Sequence, residues 1–374
     1  MSLILRRVES RRDLKAFVKF PLALYRDNPC YVPTLVFDDL NTLDPAKNPA
    51  FEFCEAALWL ALRDGKVVGR VAGIVNRRFI EKWGRKYARF GWIDFEEDFE
   101  VAEALVGAVE DWARVLGMEA VHGPLGFTDL DREGMLIEGF DRVATLATNY
   151  NHPYYPGYLE RLGYSKDTDW VEYLITVPRE IPEKIRRVNE ILVKRTGVHL
   201  YEWKSRRELV RRYGHAIFDL IDEAYAKLYG TIPLSERQVQ AYISQYLSLV
   251  DNRFTKFILD KDEKLVGFGI AMPSLSKALQ RSRGALLPWG WLRLMLALRK
   301  PKLLDLYLVA VKPEYVARGI VALLLSSINQ SAIDAGVQYA ESNPELEDNI
   351  AVQGMWNPHE RVQHKRRRVY LKRL

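Results

Sequence analysis

The stretch VKPEYVARGIVALLL, residues 311 to 325, holds residue types whose spacing could do chemistry. An apolar strand-like run passes through a proline turn and one glycine, Gly319, into an apolar helix with the stripe Ile320, Leu324, Ile328. The first N–H groups of a helix lack intrahelical acceptors and sit at the positive end of its dipole. A strand-to-helix junction of this kind can therefore cradle a phosphate through main-chain donors. Gly319 permits close approach and Arg318 adds a charge. Upstream, alternation along the strand places Asp305, Tyr307, Val309 and Val311 on one face, which puts a carboxylate and a phenol on the side of the loop entrance. A second carboxylate, Glu341, ends a later strand, and His359 lies further on. The six histidines and two cysteines form no ligand-spaced cluster, so no metal is expected, and no Ser/His/Asp order stands out.

These residues need a scaffold. At 374 residues, 48% hydrophobic and 28% charged, the chain has a globular composition and the length of two domains. AALWLALRDGKVVGRVAGIVN, residues 56 to 76, reads as a hairpin about Asp64 and Gly65. A strand over 88–95, an amphipathic helix over 101–116 with Val101, Leu105, Val109 and Trp112 near one face, and a strand at 120–123 follow. Strand, helix, strand implies a crossover and a mixed sheet. The second half repeats the order: helices over 206–228 and 235–249, strands over 254–259 and 265–272, an inserted apolar stretch, a strand over 303–311, a helix from Ala317 and a strand over 337–341. Between the halves, Pro178 and Pro182 mark a boundary, giving domains 1–178 and 179–374.

Cys30 and Cys54 are too few for a disulfide framework, and MSLILRRVESRRD lacks the apolar core of a signal peptide, so a cytoplasmic protein is expected. A net charge of +6 suits an acidic partner: coenzyme phosphates, nucleic acid or an anionic membrane. The excess concentrates in HKRRRVYLKRL at the C-terminus, where alternating Val369 and Leu371 predict a final strand with a basic, solvated outer side. No nucleic-acid-binding motif accompanies it, so nucleic acid is not an expected partner. The inserted stretch Ala285 to Leu298 is apolar, flanked by Arg281, Arg283, Arg299, Lys300 and Lys302, and too short and interrupted to span a bilayer. Three readings stay open for it: a core or domain-packing helix, a wall of a hydrophobic acyl or substrate pocket, or a peripheral membrane contact.

From Leu303 onward the chain resembles the GNAT superfamily of acyl-CoA-dependent N-acyltransferases. LYLVAVKPEYVARGIVALLL is similar to the family's strand, proline turn and phosphate loop of the form Arg/Gln-x-x-Gly-x-Gly/Ala, and DNIAVQGMW to its asparagine-led helix. YLERLGY and WVEYLI resemble the closing helix and strand of the same fold in the N-terminal half. The resemblance implies an α/β (α+β mixed) chain of two tandem GNAT-like domains, each a mixed, mostly antiparallel twisted sheet flanked by helices. It implies acetyl-CoA or another acyl-CoA as co-substrate, held by Val309, Val311, Val316, Ala317, Arg318, Gly319, Ile320, Val321 and Asn349, with direct transfer to a small-molecule or peptide amine. Asp305 occupies the position of the family's base, six residues before Val311, with Glu341 as a second carboxylate. The position of the usual tyrosine acid holds Trp356, whose indole has no titratable proton, and His359 stands nearby.

The loop departs from the pattern at Val316, Ala317 and Val321, which favours a rival reading: a catalytically silent GNAT-like protein that binds an anionic ligand or partner. In the N-terminal half the matching place reads EEDFE, residues 96 to 100, whose carboxylates would repel a pyrophosphate. That half is expected to shape the substrate cleft. The acceptor amine and the oligomeric state stay open.

Overall fold

The computed structural model describes residues 2–247 and 250–374. Its strands are β1 (Leu3–Arg7), β2 (Cys54–Arg63), β3 (Lys66–Asn76), β4 (Tyr87–Phe95), β5 (Ala120–Gly123), β6 (Met135–Glu138), β7 (Ser165–Thr176), β8 (His199–Leu200), β9 (Thr255–Leu259), β10 (Leu265–Pro273), β11 (Leu303–Val311), β12 (Tyr339–Ser342), β13 (Glu345–Leu346) and β14 (Arg361–Arg373). Two compact units use them. The first takes residues up to Val171 with Leu275–Leu294 and His364–Leu374; the second takes Glu172–Ser274 and Met295–Gln363. Both units thus draw on the chain discontinuously, where the sequence reading has a single boundary near 178 to 182.

In the first unit the strand order is β1-β2-β3-β4-β5-β14. Neighbours are antiparallel except β4 and β5, which run parallel and need a crossover. The β2–β3 hairpin turns through Asp64 and Gly65, both at positive φ (52° and 77°), the backbone that a two-residue loop between twisted strands requires. The crossover is the helix Phe99–Val115, which buries Val101, Leu105 and Val109 as its 3.6-residue period dictates. It sits closely on β3: a Cβ at Gly69 would lie 2.7 Å from Leu105 Cδ1 and 2.8 Å from Val101 Cγ1.

The second unit repeats this plan. Its order is β8-β9-β10-β11-β12-β7, antiparallel except for the parallel pair β11 and β12. The crossover helix Ile320–Asp334 packs on β10, where a Cβ at Gly269 would lie 2.8 Å from Ile328 Cδ1. Each sheet is completed by a strand distant in sequence: the C-terminal β14 pairs with β5, and the end of β7 pairs with β12. Mixed, mostly antiparallel sheets with flanking helices agree with the expected fold class.

Four expectations are corrected. The helix foreseen from Ala317 starts at Ile320, because Gly319 adopts φ 86° and cannot continue a right-handed helix. The helix foreseen over 235–249 covers Glu236–Tyr242 and passes into a π turn at Ile243–Leu247, its last two residues lying outside the described ones. The basic run of β14 is not a solvated face: Lys365 and Arg367 are buried, while Arg368 Nε and Arg366 Nη1 donate to buried Asp169 at 2.8 and 3.2 Å. The stretch Ala285 to Leu298 does not form core, since Leu287, Trp289, Trp291, Leu292, Met295 and Leu296 are exposed. Among the described residues no helix is long and apolar enough to cross a membrane.

Candidate active site

After β11 the chain makes a single helical turn, Pro313–Val316, led by the proline whose fixed φ suits a first turn. The N–H groups of Tyr315 and Val316 donate to Lys312 O, that of Arg318 to Tyr315 O and that of Gly319 to Val316 O, at 2.9 to 3.2 Å. Gly319 then caps the crossover helix without any side-chain acceptor. The first-turn N–H groups of Ile320 and Val321 therefore sit at the positive end of the helix with no intrahelical carbonyl in reach. A Cβ on Gly319 would lie 3.1 Å from Leu192 Cδ1 of the helix Glu183–Thr196, which flanks the loop. Val316 and Arg318 are exposed, the guanidinium standing 5.0 Å over the Tyr315 ring. Val321, which in sequence threatens to fill the loop, packs instead with Leu192, Ile320 and Leu324 in the core beneath it.

Upstream, β11 carries a bulge. Leu308 pairs with Ile270 and Leu306 with Ala271, leaving Tyr307 as the extra residue. The bulge reverses the alternation foreseen for this strand. Val309 and Val311 pack on the crossover-helix side with Ile320 and Leu324, as do Leu304 and Leu306 with Leu325 and Ile328. Asp305, between Leu304 and Leu306, faces the opposite side from Val309 and Val311, and Tyr307 packs there with the helix Arg206–Tyr225. The expected common face is thus corrected.

Asp305 and Glu341 are brought together. They are register partners on parallel neighbouring strands, both buried, at 2% and 5% exposure. Directly above them the two strands separate. Pairing ends at Leu306 with Ser342, and Asn343 closes the fork by donating its N–H to Leu306 O (3.1 Å) and its Nδ2 to Tyr307 O (3.0 Å). β11 continues alone to Val311 along this edge, with the Tyr225 hydroxyl donating to Val309 O at 2.9 Å. The result is a main-chain edge that leads from the carboxylate pair to the helix start at Gly319.

His359 belongs elsewhere. It lines a small apolar pocket with Trp356, Ile175, Leu306 and Ile328 on the crossover-helix side, and burial lowers its pKa. Asn349 caps the short helix Ile350–Gly354, accepting from Val352 N at 3.3 Å. The residue missed in the sequence is Glu345. Trp356 Nε1 donates to its Oε1 at 2.7 Å, and burial pushes its carboxyl up to about 7, opposed by hydrogen bonds from Trp356 and Ser342 and by Arg361. No sequence signal marks it, since a glutamate in the loop ESNPELED reads as solvated.

In the first unit the corresponding junction is built differently. Asp98 caps the helix Phe99–Val115 with its side chain, accepting from Glu100 N at 3.0 Å, and Arg63 binds both Asp98 and Glu100 at 2.7 Å. Glu96 and Glu97, with His152 and Tyr154, line an open pocket of about 710 Å³.

No protein-family model matches the chain. It is 27% identical over 379 residues to protein YghO of Escherichia coli (strain K12), covering 98% of this chain and 94% of that protein. It is equally 27% identical over 377 residues to the bacterial ceramide synthase of Caulobacter vibrioides (strain NA1000 / CB15N), covering 98% and 96%. Among solved structures, the tandem GNAT protein from the clavulanic acid biosynthesis pathway matches 100% of this chain and 98% of its own, with a TM-score of 0.55 at 13% identity. The fold is a tandem GNAT (Gcn5-related N-acetyltransferase) fold.

Proposed function

We propose that the second unit binds an acyl-CoA along the free edge of β11, with its pyrophosphate at Gly319, and transfers the acyl group to an amine. One observation carries this reading: the fork between β11 and β12 joins a buried carboxylate pair to an uncapped helix start. The coenzyme's amide-bearing arm matches a strand edge that no neighbouring strand covers beyond Leu306, and its phosphates match the Ile320 and Val321 donors beside Lys312 and Arg318. The tandem GNAT fold supports a general acyltransferase.

Transfer needs a neutral amine, which attacks the thioester carbonyl; the N–C bond forms, the C–S bond breaks, and sulfur leaves as a thiolate. Asp305, with Glu341 beside it, takes the proton released by the amine, through water because both carboxylates are buried. Trp356 cannot protonate the thiolate, and Glu345, which can hold a proton near neutral pH, is bonded to Trp356 in the region that His359 also lines, so neither is assigned that step. His359 takes no part in this scheme, being on the opposite side of the sheet from Asp305.

A ceramide is a long-chain amide, so the name of one full-length relative fits N-acylation and favours a long acyl chain or long-chain amine over acetyl transfer to a small one. The silent reading has its own support, since the turn's carbonyls already take the N–H groups of Tyr315, Val316, Arg318 and Gly319. Isothermal titration with acetyl-CoA and a long-chain acyl-CoA separates the two. The enzyme reading expects binding, tighter for the long chain, followed by free thiol release once an amine is added; binding of neither leaves only the silent reading.

A further inference from the structure

The strongest feature outside the acyl-transfer site is the segment from Ser276 to Lys302. Its base is anchored within the first unit: Ser276 Oγ donates to Ala144 O at 2.9 Å, and Gln280 Nε2 donates to Pro29 O and Tyr31 O at 2.8 and 2.9 Å. Gly284, at φ 70°, passes so close to Thr34 that a Cβ would lie 2.1 Å from its carbonyl oxygen. Beyond this fixed base the chain presents apolar side chains to solvent. Leu287 is 80% exposed, Trp289 65% and Leu296 56%, with Trp291, Leu292 and Met295 also exposed.

On the helix Gly290–Arg299, residues 291, 292, 295 and 296 fall within an arc of about 140° at 100° per residue, so they form one face that the terminal Arg299 also joins, while Leu294 and Leu298 outside the arc are half-buried. An apolar face of this kind, preceded by two more exposed large side chains, is what a soluble surface ordinarily avoids unless something covers it. The charge pattern says what. Between residues 276 and 302 the chain carries Lys277, Arg281, Arg283, Arg293, Arg299, Lys300 and Lys302, and no Asp or Glu at all. Tryptophans on the apolar side and cations around it match the layers of a bilayer interface: acyl boundary, then anionic headgroups. At about 1.5 Å per residue the ten-residue helix is about 15 Å long, half of what a bilayer core needs, so it lies in the interface and does not cross it.

We propose that this segment docks the protein onto an anionic phospholipid surface, with Leu287, Trp289, Trp291 and Leu296 entering the headgroup boundary and Arg281, Arg283, Arg299 and Lys300 meeting lipid phosphates. The inference stands apart from the acyl-transfer reading, because it rests on a segment that contributes nothing to the β11–β12 fork.

Flotation of the full chain with vesicles tests it, using phosphatidylcholine alone and phosphatidylcholine mixed with phosphatidylglycerol. The wild type should float with the mixed vesicles, release at high salt, and show a blue shift of tryptophan emission on binding. The triple variant Trp289→Ser, Trp291→Ser, Leu296→Gln should lose on the order of tenfold or more in partitioning. These side chains are exposed, so the variant's circular dichroism and melting temperature should match the wild type and confirm that folding is spared. Failure of the wild type to float, equal binding to both vesicle types, or undiminished binding by a folded triple variant would each overturn the proposal. So would a concentration-dependent dimer in light scattering, abolished by the same substitutions, that forms in place of vesicle binding.

Discussion

The first unit leaves β4 at Phe95 and enters its crossover helix through Glu96, Glu97 and Asp98; the second leaves β11 at Val311 and enters through Lys312, Arg318 and Gly319. The strand orders are alike, yet the two helix starts are chemically opposite. In the first, an aspartate side chain takes one of the orphan donors, the Glu100 N–H, an arginine fixes it, and further carboxylates line the open pocket. In the second, a glycine cap occupies none of them, and the turn before it carries two cations, Lys312 and Arg318, with the single carboxylate Glu314. One topology therefore yields either a self-satisfied helix start or one that awaits an anion, and a few residues in the turn decide which.

Substitutions can break that contrast. The largest effect is expected at Asp305: Asp305→Asn keeps shape and removes basicity, so turnover should fall by roughly 100- to 10,000-fold with acyl-CoA affinity little changed. Near-wild-type turnover would move the role to Glu341. Next, Gly319→Leu puts a side chain at φ 86° and against Leu192, and should weaken acyl-CoA binding by on the order of tenfold to a hundredfold in calorimetry, whereas Glu96→Gln with Glu97→Gln should leave it unchanged. Equal losses from both would erase the distinction between the units.

Smaller effects sharpen the picture through stability. Glu345 has a folded-state pKa of about 7, above the ordinary 4.5 of an unfolded glutamate. Its contribution is therefore complete below about 4.5 and is lost as pH rises through about 7, by at most about 3 kcal/mol. Glu345→Gln cannot ionise, so denaturant melts of the two proteins from pH 4 to pH 8 should diverge across that window; parallel curves would show an ordinary carboxyl. Smallest, Asp98→Ala removes the first unit's helix cap and should cost about 1 kcal/mol with no change in acyl-CoA affinity.

The repeated fold was legible because the hairpin 56–76 shows two apolar runs about an Asp-Gly turn, the stripe Val101, Leu105, Val109 keeps a helical period, and the strand 303–311 is an apolar run that ends at a proline turn. The Tyr307 bulge was not, since LYLVAV alternates without a glycine or proline to mark the extra residue, and this misassigned the face of Asp305. Register between Asp305 and Glu341 depends on which strands become neighbours, a tertiary outcome, although both residues were visible as candidates. The basic run of β14 looked solvated because its partner, Asp169, lies almost 200 residues away in the chain. Glu345 was hidden for the same reason: its pKa comes from burial beside Trp356, which no local pattern encodes.

Hydrogen exchange of the full chain with and without a long-chain acyl-CoA tests the central claim most directly, because it reads both helix starts in one experiment. Binding at the second unit predicts slowed exchange for the amides of residues 318 to 323 and unchanged exchange for residues 96 to 103. Protection of the first-unit segment, or bound coenzyme with no protection at 318 to 323, would contradict it.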